Sequence, residues 1–152
     1  ILAVVMLVGT RAIVGLQQDA QEAQFAKFTT NLKTTINDVS QNYASVRQSE
    51  FSLPSGFQQI CVIERDIPFS GSITGINDEP LPLVESSWRA GEQDQADMFL
   101  IGPDEFEPIE IEAQVQVDDD NNYKCFASRG NVVQIRFEGL GRDGILVSEW
   151  QT

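Results

Sequence analysis

Ile1-Leu2-Ala3-Val4-Val5-Met6-Leu7-Val8-Gly9-Thr10-Arg11-Ala12-Ile13-Val14-Gly15-Leu16 opens the chain, and an apolar stripe follows at Phe25, Phe28, Leu32, Ile36, Val39, Tyr43 and Val46. The gaps of 3, 4, 4, 3, 4 and 3 in that stripe are helical periodicity. No Pro occurs before Pro54. The pattern therefore predicts one helix from residue 1 to about 49, interrupted at most near Gly9 and Gly15. At about 1.5 Å per residue it would be roughly 73 Å long, more than the width of a domain of about 100 residues. Its first half must project beyond the globular body.

The two halves call for different surroundings. Over residues 25–50 one face is apolar, and polar residues such as Lys27, Asn31 and Lys33 lie beside it, so Phe25 to Val46 are expected to pack on a sheet. Residues 1–24 begin with large aliphatic side chains on every side of the helical wheel, a pattern that cannot rest on a globular surface. Ile1, Leu2, Val4, Val5, Met6, Leu7, Val8, Ile13, Val14 and Leu16 would leave roughly 15–30 kcal/mol of unrealised burial in water. That exceeds the net stability of an ordinary domain.

Identical segments of other subunits, a bilayer or the interior of a core could each supply the missing burial. A membrane span needs about 20 apolar residues, and Arg11 interrupts this one early. The stretch opens without an initiator Met, which reads as processing or truncation. A cleaved secretory segment would be missing from a mature chain, so its presence reads as retention for use. Arg11 must snorkel or find an acceptor, because an unpaired charge in an apolar assembly costs several kcal/mol. Asp19 or Glu22 of a staggered neighbour would serve.

Charge is split along the chain. Arg11, Lys27, Lys33 and Arg47 balance Asp19, Glu22, Asp38 and Glu50 in the first fifty residues. The whole net charge of −13 therefore resides in the remainder, and the sequence pI is about 4.2. Such a surface argues against nucleic acid as a partner, since phosphates need clustered Lys and Arg. There is no His, which removes the commonest metal ligand and neutral-pH proton carrier. Two Cys cannot form a four-Cys zinc site. No Gly-rich phosphate loop, G-x-S-x-G or nucleophile-with-base arrangement occurs. The expectation is a non-enzyme with no catalytic residues, cofactor or metal.

Beyond Leu53-Pro54-Ser55-Gly56 the apolar period changes from 3.6 to 2. Phe57 to Glu64, Ile109 to Val117, Tyr123 to Ala127, Val132 to Glu138 and Ile145 to Trp150 read as strands, with Met98 to Ile101 as a short one. The expected fold class is α+β: a long N-terminal helix on an antiparallel β head domain over residues 51–152. Residues 66–97, with Pro68, Gly71, Gly75, Pro80, Pro82 and Gly91, read as an irregular surface loop with at most a turn of helix. Trp88 in it either contacts another subunit or folds back on its own core. Asp118, Asp120 and Asn122 match the start of a calcium loop, but Tyr123 stands where its Gly belongs and Arg129 where its Glu belongs, so a solvated hairpin is the better account. Glu110 and Glu112, two apart, are expected on one strand face.

The retained apolar helix, the turn Phe51-Ser52-Leu53-Pro54-Ser55-Gly56-Phe57 and the strand Gln58-Gln59-Ile60-Cys61-Val62-Ile63 together resemble archaeal type IV pilin-like proteins, the family with class III signal peptides. Tyr123-Lys124-Cys125-Phe126 and Val132 to Gly141 resemble their closing hairpin. The resemblance spans both ends of the chain and not residues 66–97. It implies a subunit of an extracellular, cell-surface filament: the precursor sits in the membrane, and copies of the chain then pack their helices in parallel as a helical homopolymer. Val5 departs from the Glu that many bacterial pilins carry at that position.

An exported protein with an even Cys count invites a disulfide, here Cys61 to Cys125, the alternative being two buried thiols. Contact of the head with surfaces or cells is a further expected role. The other functional reading is a membrane-anchored β-domain acting as a binding or adhesion module, with the helix as its stalk. A third is a secreted carbohydrate- or cation-binding domain.

Overall fold

A computed structural model of the chain describes the backbone of residues 2–69 and 71–151, and the side chains of residues 20–69, 71–91 and 93–151. Its first element is helix α1, Leu2–Ser40, 39 residues and roughly 58 Å long. The apolar side chains of Ile1, Leu2, Val4, Val5, Met6, Leu7, Val8, Ile13, Val14 and Leu16, and the partner of Arg11, lie outside the described residues.

The helix ends nine residues before the expected residue 49, and the stripe is shorter with it. Phe28, Leu32, Ile36 and Val39 are buried and Phe25 packs half-buried against them, but Tyr43 is 80% and Val46 50% exposed. Tyr43 and Val46 are therefore not helix-to-head packing residues. Asn42 and Ser45 donate backbone N–H bonds to Val39 O and Asn42 O, and the Ser45 hydroxyl donates to the same two carbonyls. Ala44 takes a left-handed φ of 62° and gives its N–H to Gly139 O, while Gly139 returns its N–H to Ser45 O. A strand partner captures the backbone where continued helix would have left it facing water. The helical spacing of Tyr43 and Val46 is coincidental.

Strand β1, Val46–Ser52, starts at that exchange. It is followed by β2 (Gln59–Ile63), helix α2 (Pro82–Arg89), β3 (Ala96–Ile101), β4 (Phe106–Glu110), β5 (Gln114–Val117), β6 (Tyr123–Ala127), β7 (Val132–Gly141) and β8 (Gly144–Ser148). These strands form two four-stranded sheets, ordered β1-β7-β8-β5 and β4-β3-β2-β6. The fold is α+β and its strands pair antiparallel, except that β5 runs parallel to β8. On β7, Val133, Ile135 and Phe137 are buried and alternate with more exposed Gln134, Arg136 and Glu138, as a sheet with one wet face requires.

The main core lies between α1 and the facing sides of the two sheets. Phe28 meets Phe51 edge to face at 6.1 Å, and Phe51 meets Phe137 at 6.0 Å. Strand β2 is buried on both faces: Ile60 and Val62 join the main core, while Cys61 and Ile63 face a second cluster. That second cluster overturns the reading of residues 66–97 as surface loop. Ile73, Leu81, Val84 and Trp88 from this stretch are buried against Phe99 and Ile101 of β3. Pro82 stands at the start of α2, where its missing N–H costs nothing. Trp88 folds back on its own protomer, 4% exposed, and donates its indole N–H to Ile67 O.

The expected strand Ile109 to Val117 is broken in two. β4 ends at Glu110 in one sheet and β5 begins at Gln114 in the other. The buried Ile111 and Ala113 anchor the crossover, so Glu110 and Glu112 do not share a strand face.

Candidate functional site

The feature that separates this molecule from a plain two-sheet domain is the place along α1 where, among the described residues, packing on the head begins. From Ala20 to Gln24 every described helical residue is exposed, and burial begins at Phe25. At that boundary Ser55, in the Leu53-Pro54-Ser55-Gly56 turn, donates its N–H and its hydroxyl to Gln24 Oε1, at 3.0 and 2.7 Å. Leu53 and Pro54 beside it are buried, so the turn is anchored in the core and reaches out to the helix. The turn is tight because Gly56 holds a φ of 94°, and the Gly56 carbonyl lies against Gly102 so closely that any Cβ there would collide with it.

Cys61 and Cys125 form the disulfide. They are direct cross-strand partners on β2 and β6, with Cα atoms 4.0 Å apart and a sequence separation of 64. The bond ties β2, the second strand after the helix, to β6 in the closing part of the head.

A second anchoring device is invisible in the residue pattern. The guanidinium of Arg65, with 11% of its side chain exposed, donates to Ser87 O at 2.7 Å, Gly91 O at 3.2 Å, the Ser87 hydroxyl at 2.9 Å and Ala96 O. It thereby caps the end of α2 and fastens the following turn to β3. Asp97 lies 3.7 Å from Arg65 Nε. Burial pushes the Asp97 carboxyl up to about 7; Arg65 opposes this and the nearby Asp66, Asp94 and Glu110 add to it. Burial acts in the same direction on Asp94, but bonds from the Ser87 hydroxyl and the Ala96 N–H, helped by Arg65, hold it below the usual carboxylate range.

A surface depression of about 570 Å³ is lined by Arg65, Asp66, Asp94, Asp97 and Glu112 among others. One of about 620 Å³ lies between α1 and the β4–β5 crossover, lined by Lys33, Asn37, Glu112 and Asp143 among others. Another, of about 290 Å³, is apolar and lies between α2 and the β3–β4 turn, beside the exposed Leu83. Among the described residues no group of three His, Cys, Asp or Glu side chains could hold a metal ion. Also among them, no helix is long and apolar enough to cross a membrane. Asp118, Asp120 and the left-handed Asn122 form the β5–β6 connection, closed by bonds from Asn121 and Asn122 N–H to Asp119.

No protein-family model, curated protein sequence or solved structure matches the chain.

Proposed function

We propose that this chain is a structural subunit of an extracellular, type IV pilus-like filament, polymerised by parallel packing of its apolar N-terminal helix. One observation carries the reading. Among the described residues the head buries α1 from Phe25 onward, residues 20–24 are exposed, and Gln24 is held at that boundary by Ser55. The strongly apolar stretch Ile1 to Leu16 precedes that boundary along the chain. Copies of the same stretch are the surroundings that match it on all sides. The disulfide fits an exported protein, where such bonds persist.

In this reading the head is the outer shell, and its net charge keeps neighbouring filaments apart in solution. The precursor rests in the membrane before assembly, and the head is the part available to surfaces or cells. Negative-stain microscopy tests the reading. The purified full chain is expected to form regular fibres, and a chain lacking residues 1–24 is expected to give dispersed particles only. A full chain that stays dispersed, or a shortened chain that still forms fibres, overturns it.

A further inference from the structure

Two sheets with four edge strands present four rows of backbone groups, and the molecule treats them unequally. β4 contains Pro108, which has no N–H to offer. On β5 the Glu64 carboxylate accepts the Val117 N–H at 3.3 Å and so covers that edge. Among the described residues, β1 and β6 carry no such block.

The register says which groups on those two edges are open. At the two ends of the β6–β2 ladder, Glu64 N–H bonds to Asn122 O and Ser128 N–H to Gln58 O. The even-numbered residues of β6 therefore face β2, and the N–H and C=O groups of Tyr123, Cys125 and Ala127 face the open edge. On β1 the bonds Gly139 N–H to Ser45 O and Leu53 N–H to Asn131 O give the odd residues to β7. Val46, Gln48, Glu50 and Ser52 therefore face outward.

Charge marks the same two edges. In a molecule of net charge −13, Arg47 lies on β1, Lys124 on β6 and Arg129 in the turn after it. A groove of about 720 Å³ runs beside β6, lined by Ile76, Phe126, Arg129, Glu149 and Trp150 among others. Arg47 and Glu50 lie on one edge, and Lys124, Arg129 and Glu149 at the other, where Glu149 pairs with Lys124 at 2.9 Å and leaves Arg129 in excess. Here two copies can approach without the like-charge repulsion that opposes contact between acidic faces.

We propose that the open edge of β1 in one copy pairs with the open edge of β6 in the next, a strand-to-strand contact between heads. The choice of a second copy as occupant rests on the filament reading above. Because the two edges differ, the contact is heterologous and repeats from copy to copy instead of closing a two-fold dimer.

The test mixes two full-length, single-substitution proteins, Gln48→Cys and Ala127→Cys, with the native disulfide intact, and treats them with a short bismaleimide. The expected result is a cross-linked pair in the mixture at least tenfold above a mixture in which Asp104→Cys replaces Gln48→Cys. Adding Glu50→Pro, which removes one outward N–H, to the Gln48→Cys chain is expected to cut the yield about tenfold with an unchanged melting temperature. Cross-linking no greater than the Asp104→Cys control overturns the proposal, as does Gln48→Cys linking only to itself. Microscopy of the same samples keeps the two ideas apart: fibres without the cross-link sink the edge pairing alone, and the cross-link without fibres sinks the helix-driven filament alone.

Discussion

Ser55 gives both its backbone N–H and its hydroxyl to the side-chain oxygen of Gln24, 31 residues earlier in the chain. The contact joins the turn after β1 to α1 one residue before Phe25, where packing of the described helix residues on the core begins. Both residues are exposed, and the two bonds compete with water, which limits their worth to about 1 kcal/mol. Gln24→Ala is expected to lower unfolding free energy by about that amount in urea titrations. It is also expected to speed hydrogen exchange at Ser55 relative to the amides of β7. An unchanged Ser55 exchange rate would remove its role as an anchor.

How far this architecture can be read from residues alone depends on what kind of partner each group has. Phe28, Leu32, Ile36 and Val39 were legible because burial against a sheet imposes a period on the side chains themselves. The disulfide was legible because both cysteines sit in recognisable strands. β1 was not, because Tyr43 and Val46 happen to continue the helical spacing, and only Gly139 on a distant strand decides otherwise. The Arg65 contacts were hidden for a different reason: its acceptors Ser87 O, Gly91 O and Ala96 O are backbone carbonyls, which leave no trace in residue identity. Trp88 stood open between two roles until the position of α2 fixed it.

Reduction of the Cys61–Cys125 bond opens a loop spanning a sequence separation of 64. In the chain-entropy model a loop of that size contributes about 4 kcal/mol. The paired variant Cys61→Ala with Cys125→Ala is expected to lose a comparable amount, and the cavity left by Cys61, fully buried, adds to the loss. Denaturant titration with and without reductant measures it. Equal midpoints in the two conditions would show that the bond does not constrain the unfolded chain.

Removing the Arg65 donors should loosen one segment more than the rest. Arg65→Met keeps much of the side-chain volume but leaves Ser87 O and Gly91 O without this donor, at a cost of about 2–4 kcal/mol in overall stability. Hydrogen exchange is expected to rise first in residues 82–95, ahead of β2 and β7. Uniform acceleration across the head would contradict a local fastening role.

Asp97 makes stability fall with rising pH. Its folded-state pKa of about 7 lies above the ordinary Asp value of about 3.9, so the folded chain holds a proton that the unfolded chain has lost between those two values. The contribution is complete below about pH 4 and is lost as pH climbs through about 7. Its full size is on the order of a few kcal/mol. Asp97→Asn removes the titration, and unfolding free energy of the variant is expected to exceed that of the parent at pH 8 and to vary less between pH 5 and pH 8. A variant whose pH profile runs parallel to the parent would assign the slope to other groups.

Gly139 is where the end of α1 meets the sheet. A Cβ at this position would overlap the backbone carbonyls of Asn42 and Val39, and the Ser45 hydroxyl also crowds it. Backbone atoms cannot swing aside as a side chain can, so Gly139→Ala forces the 39–45 turn away from β7. The move strains the paired bonds Ala44 N–H to Gly139 O and Gly139 N–H to Ser45 O, on which the start of β1 depends. Overpacking of this kind costs about 1–3 kcal/mol, and here the loss of the exchanged bonds adds to it. Two measurements separate strain from simple instability. Unfolding free energy should drop, and amide exchange at Ala44 and Gly139 should quicken well before that of Phe51 or Ile135 deeper in the same pair of strands. Full stability with unchanged exchange at those two amides would mean that the helix end can sit farther from the sheet than Gly139 allows it to approach.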